Sequence, residues 1–270
     1  MQLGLIKALY TDQLIKIYSH SEAENLFYIT LHWLEKKSKT AVLLGQETLL
    51  IDTYQAVLEE LLLGRPIQYL TNEAPFYGLD LFVDERVLIP RPETEQLVHW
   101  ILEDNKAFSG SVLDIGTGSG CIPLVLKKNW PQARINGCDV SIKALQVATQ
   151  NANEQKLEVN FFEKDILNEE IENYDIIISN PPYIAQAEKE QMHKNVLENE
   201  PHLALFVASD DPLVFYKRIL QLASKQKTTC YFETSEYYRD DLDKWLKEKE
   251  YKFIWQLDFQ EKNRMLKVSF

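Results

Sequence analysis

Nine consecutive residues constrain this chain more than any others: Val112-Leu113-Asp114-Ile115-Gly116-Thr117-Gly118-Ser119-Gly120. A short apolar run suited to a strand passes straight into three glycines spaced one residue apart, and an apolar stretch of helical character follows from Cys121. Glycine tolerates positive φ, so such a turn is tight and lets a ligand approach backbone N–H groups at a helix start. A strand–glycine turn–helix unit belongs to open α/β sheets, whose ligands lie beyond the carboxyl ends of the strands. The G-x-G-x-x-G pattern of dinucleotide sites is missed by one position, because the third glycine comes early and Cys121 stands where it should be. Nicotinamide binding is therefore disfavoured. Asp114 suits a cationic group such as an ammonium and would repel a pyrophosphate.

From Ser111 the pattern alternates. Strands are expected at 111–115, 134–139, 157–163, 174–179, 228–233, 251–257 and 264–269, with helices at 120–129, 141–154, 213–225 and 236–249. Alternation of this kind predicts a mostly parallel sheet covered by helices on both faces. The first 70 or so residues read as helical. Leu3, Ile6, Leu9, Leu14 and Ile17 recur at roughly helical spacing, and Ser21 to Glu24 fits a capping box before Leu26, Phe27, Leu31 and Leu34. Leu50, Tyr54, Val57, Leu58, Leu61 and Leu62 mark a further helix that Gly64 would stop. Breaks at Gly64 to Tyr69 and Pro75 to Gly78, then strand-like alternation from Leu79 to Ile89 around Asp84-Glu85, suggest a hairpin between two domains. The expected division is 1–72 for a helical docking domain, 73–92 for a hairpin linker and 93–270 for the α/β domain. Pro92 and Glu93 open a helix well; Arg91, rigid between two prolines, is not explained by that.

Acids recur at strand ends. Asp139 closes the second strand about 20 residues beyond the glycines, where a carboxylate accepts bonds from ribose hydroxyls, although capping the next helix is an ordinary alternative. Asp165 closes the third, with Ile166 beside it placed to line an adenine slot. Three acids at successive strand ends, with this glycine loop, make S-adenosylmethionine the best-fitting ligand. The fourth strand ends differently, in Ile176-Ile177-Ile178-Ser179-Asn180-Pro181-Pro182-Tyr183. Prolines lack N–H donors and fix φ, so the strand stops and the turn is stiff. Asn180 Oδ1 and the Pro181 carbonyl are two acceptors able to hold a planar NH2 group by both hydrogens, with the Tyr183 ring to stack on it. Asn-Pro also opens turns that carry no chemistry.

Composition narrows the class. The chain has 270 residues, 45% hydrophobic and 26% charged, with no apolar run near the ~18 residues a membrane helix needs. Residues 1–20 do not read as a signal peptide. Cys121, Cys138 and Cys230 are widely spaced and indicate neither a zinc site nor a disulfide frame, so the cytoplasm is expected. A net charge of −12 and lysines scattered among acids argue against stable direct nucleic-acid binding.

With these motifs assembled, the chain resembles the class I S-adenosylmethionine methyltransferases, and more narrowly the protein-(glutamine-N5) methyltransferases of peptide chain release factors, the PrmC/HemK family. The likeness rests on Arg65-Pro66-Ile67-Gln68-Tyr69, Phe76-Tyr77-Gly78, Leu88 to Glu95, Asp114 to Gly120, Asn180 to Tyr183, Glu200-Pro201 with Ala204-Leu205, and Tyr216 before Ile219. Asn-Pro-Pro-Tyr alone is shared with amino methyltransferases acting on adenine N6 or guanine N2 of DNA or RNA, which is the alternative reading. The resemblance implies a Rossmann-like domain with a seven-stranded, mostly parallel sheet, preceded by a small helical domain joined through a β-hairpin. It implies that Gly116, Thr117, Gly118, Ser119 and Gly120 bind the methionine part of the cofactor, Asp139 its ribose, and Ile166 its adenine. Asn180 would touch cofactor and substrate; Pro181, Pro182 and Tyr183 would complete a pocket for the glutamine of a release factor's Gly-Gly-Gln loop. His193 and His202 receive no catalytic role. The chain departs from the family pattern at Ala208 to Leu213, at Glu233-Thr234-Ser235 and at Glu261, stretches expected to lie away from the chemistry.

Overall fold

The structure, a computed structural model, describes residues 1–182, 199–207, 209 and 211–270. Two compact units result: one holds Met1–Glu73 with Asn199, and the second begins at Ala74.

The first unit contains α1 (Leu3–Leu14), α2 (His20–Glu35), α3 (Lys39–Leu43), α4 (Ile51–Leu62) and α5 (Ile67–Thr71). Leu3, Ile6, Tyr10 and Leu14 on α1 pack with Ala23, Leu26, Phe27 and Leu31 on α2 and with Tyr54, Val57, Leu58 and Leu61 on α4. Burial of each large apolar side chain contributes about 1.5–3 kcal/mol. Leu9 and Ile17, expected on the buried stripe, are exposed instead. Tyr10 takes the inner position, its hydroxyl donating to the Tyr54 carbonyl at 2.6 Å, so the aromatic ring is buried without orphaning its polar tip. The cap of α2 also lies earlier than expected: Ser19 Oγ accepts from the Glu22 N–H, a register that repeats the Ser-x-x-Glu spacing two residues upstream of Ser21. Gly64, at φ 84°, ends α4 as expected, its N–H donating to Leu61.

The second unit opens on a hairpin of β1 (Glu73–Phe76) and β2 (Leu79–Phe82). Its turn is Tyr77-Gly78, at φ 46° and 75°, and not the Asp84-Glu85 region. Positive φ at both central residues gives the two-residue turn whose twist matches a hairpin. Asp84 instead binds the Arg86 guanidinium and its backbone N–H in a local turn. Then follow α6 (Pro92–Asp104), β3 (Ser111–Ile115), α7 (Cys121–Asn129), β4 (Arg134–Asp139), α8 (Ile142–Gln155), β5 (Asn160–Glu163) and β6 (Ile176–Ser179). A single turn α9 (His202–Leu205), α10 (Val214–Gln226), β7 (Thr229–Glu233), α11 (Arg239–Glu248), β8 (Lys252–Leu257) and β9 (Asn263–Ser269) complete the unit.

The seven-stranded sheet runs β5-β4-β3-β6-β7-β9-β8; the first five strands in that order pair parallel, and β9 pairs antiparallel with both β7 and β8. The expected sheet is present. Its central strands are buried on both sides because both faces are covered there. Along β6, Ile176 and Ile178 join the core that contains Leu97, Val98 and Ile101 of α6 and Leu124, Val125 and Leu126 of α7. Ile177, between them, joins the opposite core with Ile219 and Leu220 of α10 and Leu242 and Leu246 of α11. Strand order reverses at the β3/β6 pair, which creates a crevice at the carboxyl ends of these two strands.

Candidate functional site

That crevice collects the motifs singled out in the sequence. Ile115 of β3 stands opposite Ser179 of β6 in the parallel register, so Gly116 and Asn180 leave the sheet side by side on adjacent strands. Strands in a sheet lie about 4.8 Å apart. Ser179 Oγ donates to the Ile115 carbonyl at 2.8 Å and ties the two strand ends together.

The glycine loop is bent as its composition requires. Gly116, Gly118 and Gly120 adopt φ of 74°, 53° and 79°. The N–H groups of Gly116 and Thr117 both donate to the Cys138 carbonyl, and Gly120 N–H donates to Thr117, which closes the turn into α7. A Cβ added at Gly116 or Gly118 would meet nothing within 4 Å, so this stretch of backbone faces open space. Elsewhere the loop is tightly backed. A Cβ on Gly137 would come 2.7 Å from Thr117 Oγ1 and 2.8 Å from Phe161, so the neighbouring strand must be bare there. Asn151, fully buried on α8, donates to the Ser119 carbonyl and exchanges bonds with both the N–H and the carbonyl of Phe82, joining the loop to β2.

Two acids stand behind the loop. Asp114 is 1% exposed and neither of its carboxylate oxygens has a hydrogen-bond partner among the described residues. Burial pushes its carboxyl up to about 7, with the nearby Thr117 hydroxyl opposing and the Asp139 charge adding to the rise. A buried carboxyl left without donors is costly unless a cation or donor is brought to it, and an ammonium-bearing ligand meets that need. Asp139 is already engaged: Oδ2 accepts from Gly118 N–H at 3.0 Å and Oδ1 from Ser141 N–H at 2.9 Å. Burial raises its pKa and these backbone donors hold it back. The helix cap itself is Ser141, whose Oγ accepts from Ala144 N–H. Asp139 thus steadies the loop and keeps a second lone pair on each oxygen for a hydroxyl. Asp165 is spent on its own turn, accepting from Leu167 N–H and Asn168 Nδ2. Ile166, the following residue, is buried among Leu113, Ile115 and Cys138.

Asn180 is half-buried, Pro181 buried and Pro182 half-buried. Asn180 Nδ2 lies 3.4 Å from Thr94 Oγ1 on α6. Tyr183 and His193 lie outside the described residues. His202 is exposed, its ring edge-on to Phe206.

Comparison with known proteins agrees with this geometry. The model of the methyltransferase small domain family matches residues 93–204. A release factor glutamine methyltransferase of Flavobacterium psychrophilum is 40% identical over 97% of this chain and 96% of its own length. Proteins of the same name from Streptococcus pneumoniae and Bacteroides thetaiotaomicron are 43% and 36% identical, over 83% and 93% of this chain and 81% and 94% of their own. The chain belongs to the release factor glutamine methyltransferase family.

Solved structures confirm the fold. The hMettl16 catalytic domain in complex with MAT2A 3′UTR hairpin 6 superposes with a TM-score of 0.57 at 18% identity, over 72% of this chain and 76% of that one. The N-terminal domain of human METTL16 in complex with SAH gives 0.51 at 20% identity, over 72% and 76%.

Two polar contacts between residues distant in the chain are unexpected from sequence. Arg91 binds both carboxylate oxygens of Glu200, at 2.5 and 2.7 Å, and Glu200 is 5% exposed. That accounts for the charge between two prolines: the guanidinium neutralises a carboxylate whose pKa burial raises and Arg91 lowers. The second is Glu233. It was expected to lie away from the chemistry, yet Thr94 Oγ1 donates to Glu233 Oε2 at 2.6 Å, which places this buried acid one hydroxyl away from Asn180. Parallel pairing of β6 with β7 carries it there, Phe232 standing opposite Ser179 so that Glu233 emerges beside Asn180.

Proposed function

We infer that the protein transfers a methyl group from S-adenosylmethionine to the side-chain amide nitrogen, N5, of the glutamine in the Gly-Gly-Gln loop of a peptide chain release factor. The adjacency of Gly116 and Asn180 at the strand-order reversal carries this reading. It brings a loop suited to a cationic cofactor within one strand spacing of a rigid pair of acceptors suited to an NH2 group.

An amide nitrogen is a weak nucleophile because its lone pair is delocalised into the carbonyl. Asn180 Oδ1 and the Pro181 carbonyl accept hydrogen bonds from its two N–H groups, fixing the nitrogen in the crevice beside Pro182, and one of those protons passes to water as the nitrogen–methyl bond forms. Such placement is the main source of acceleration, worth roughly 7–11 kcal/mol in ideal cases. When bound, S-adenosylmethionine supplies an electrophilic methyl group on a cationic sulfur. Gly116 to Gly120 hold its methionine portion, with Asp114 facing the ammonium, Asp139 the ribose hydroxyls and Ile166 the adenine. Loss of cationic charge on transfer favours a surround poor in water. The N-terminal helices dock the release factor, and the cytoplasm is the compartment this substrate requires. Among the described residues, no helix is long and apolar enough to cross a membrane.

Asp139→Ala is expected to weaken cofactor binding by on the order of 10–100-fold, the loss of bonds to a charged group. Calorimetric titration with S-adenosylhomocysteine checks it; an unchanged dissociation constant removes Asp139 from the cofactor site. Incubation with methyl-labelled cofactor and, in separate reactions, a release factor, DNA and RNA tests the activity. Label is expected in the release factor; label confined to nucleic acid would replace the reading with base amino methylation.

A further inference from the structure

Asn180 is backed by Thr94 and Glu233, the acid acting on it both directly and through the Thr94 hydroxyl. Its Nδ2 lies 3.4 Å from Thr94 Oγ1, and Thr94 Oγ1 lies 2.6 Å from Glu233 Oε2. Thr94 is 3% and Glu233 4% exposed, so water does not compete for either. We propose that Thr94 and Glu233 are positioning residues for methyl transfer, with the Glu233 carboxylate fixing, through Thr94, which end of the Asn180 carboxamide faces the substrate. This rests on the reading of Asn180 Oδ1 as an acceptor for the glutamine NH2.

A hydroxyl has one proton to give. With Glu233 ionised, Thr94 gives that proton to the carboxylate and presents only lone pairs to Asn180. Only the NH2 end of Asn180 satisfies them, so Oδ1 turns to the crevice as the acceptor that the substrate needs. With Glu233 protonated, its own O–H donates to Thr94, and the Thr94 proton is released toward Asn180. The carbonyl end of Asn180 then turns back to Thr94, and its NH2 meets the substrate NH2, donor against donor. The charge on one buried acid therefore selects between a productive and an unproductive orientation.

The surroundings put that charge near its balance point. Burial pushes Glu233 up to about 7 and the Glu93 charge on α6 adds to the rise, while Thr94, Arg264 on β9 and Asn180 oppose it. Arg264 is shared with Asp258 at 3.1 Å and Glu236 at 3.6 Å, so its help to Glu233 is diluted. Tyr216 on α10 donates its hydroxyl to the Glu233 backbone carbonyl and leaves the carboxylate free for Thr94. Cys121 on α7 also senses Glu233, and burial pushes its thiol up to about 12, so it stays neutral.

The test is kcat for methylation of a release factor, at saturating S-adenosylmethionine, measured between about pH 5.5 and 9. Wild-type kcat is expected to fall as pH drops below about 7, with Glu233→Gln removing that limb. Thr94→Val, of nearly the same shape, is expected to lower kcat about tenfold with cofactor affinity unchanged, and Thr94→Ser to restore it. Wild-type turnover by Thr94→Val, or an acid limb that persists in Glu233→Gln, overturns the proposal. Should Glu233→Gln fail to fold, the Val and Ser variants at position 94 decide it. An inert Asn180→Ala beside a normal Thr94→Val sinks this inference alone; a fully active Asn180→Ala sinks the underlying reading.

Discussion

Asn180→Ala is expected to lower kcat by on the order of 10²–10³-fold, the usual loss when a preorganised hydrogen-bonding group is removed from a water-excluded site. The cofactor dissociation constant should stay near its wild-type value. The reason for this split lies in the layout of the crevice. The glycine loop is organised by Cys138, Thr117, Asp139 and Asn151, none of which bonds to Asn180. Removing the carboxamide leaves those contacts intact and takes away one of two acceptors for the substrate NH2. The Pro181 carbonyl alone leaves the nitrogen free to rotate, and a misplacement of about 1 Å can cost on the order of 10²-fold. Single-turnover transfer of labelled methyl, together with calorimetric binding of S-adenosylhomocysteine, separates the two effects. A variant that turns over at the wild-type rate removes Asn180 from the chemistry.

The second large effect is expected on the cofactor side. Gly118→Val should loosen S-adenosylhomocysteine at least about 100-fold. At φ 53° an L-residue pays about 1–2 kcal/mol of strain, more when β-branched, so the loop shifts away from its glycine conformation. A valine side chain also projects into the open space beside the loop, where a ligand must approach the backbone. Strain alone is separated by Gly45→Val. Gly45 lies at φ 67° with nothing within 4 Å of an added Cβ, and it belongs to the N-terminal unit. Both variants should lower Tm by similar amounts, and only Gly118→Val should affect cofactor binding. Equal cofactor affinity in the two variants would detach the loop from the cofactor.

What sequence revealed and what it hid follow from how far each signal reaches along the chain. The glycine loop, the strand–helix alternation and the proline-stopped strand are local, because φ freedom, missing N–H donors and side-chain period act within a few residues. These were enough to place Gly116 and Asn180 at strand ends. They could not reveal that Thr94, within an ordinary helix start, bonds Glu233 at a separation of 139 residues. That pairing depends on sheet order, which decides that β7 lies next to β6. Arg91 and Glu200, 109 residues apart, were each noticeable but unconnected for the same reason. Short-range differences have another physical source. Two overlapping Ser-x-x-Glu patterns precede α2, and it is Ser19 that caps the helix, with Ala23 in the core it shares with α1. The hairpin turn was displaced because Tyr77, a non-glycine residue at φ 46°, carries no strong turn signature of its own.

The reaction is aimed at one atom, the side-chain nitrogen of a glutamine. Tandem mass spectrometry of a release factor after reaction with this protein and S-adenosylmethionine locates the methyl group. The expected result is a single added methyl on the Gly-Gly-Gln glutamine, released as methylamine on acid hydrolysis, and none when that glutamine is replaced by glutamate. A methyl found on a backbone nitrogen, on another side chain, or on the glutamate-substituted factor would contradict a site built to grip an NH2 group by its two hydrogens.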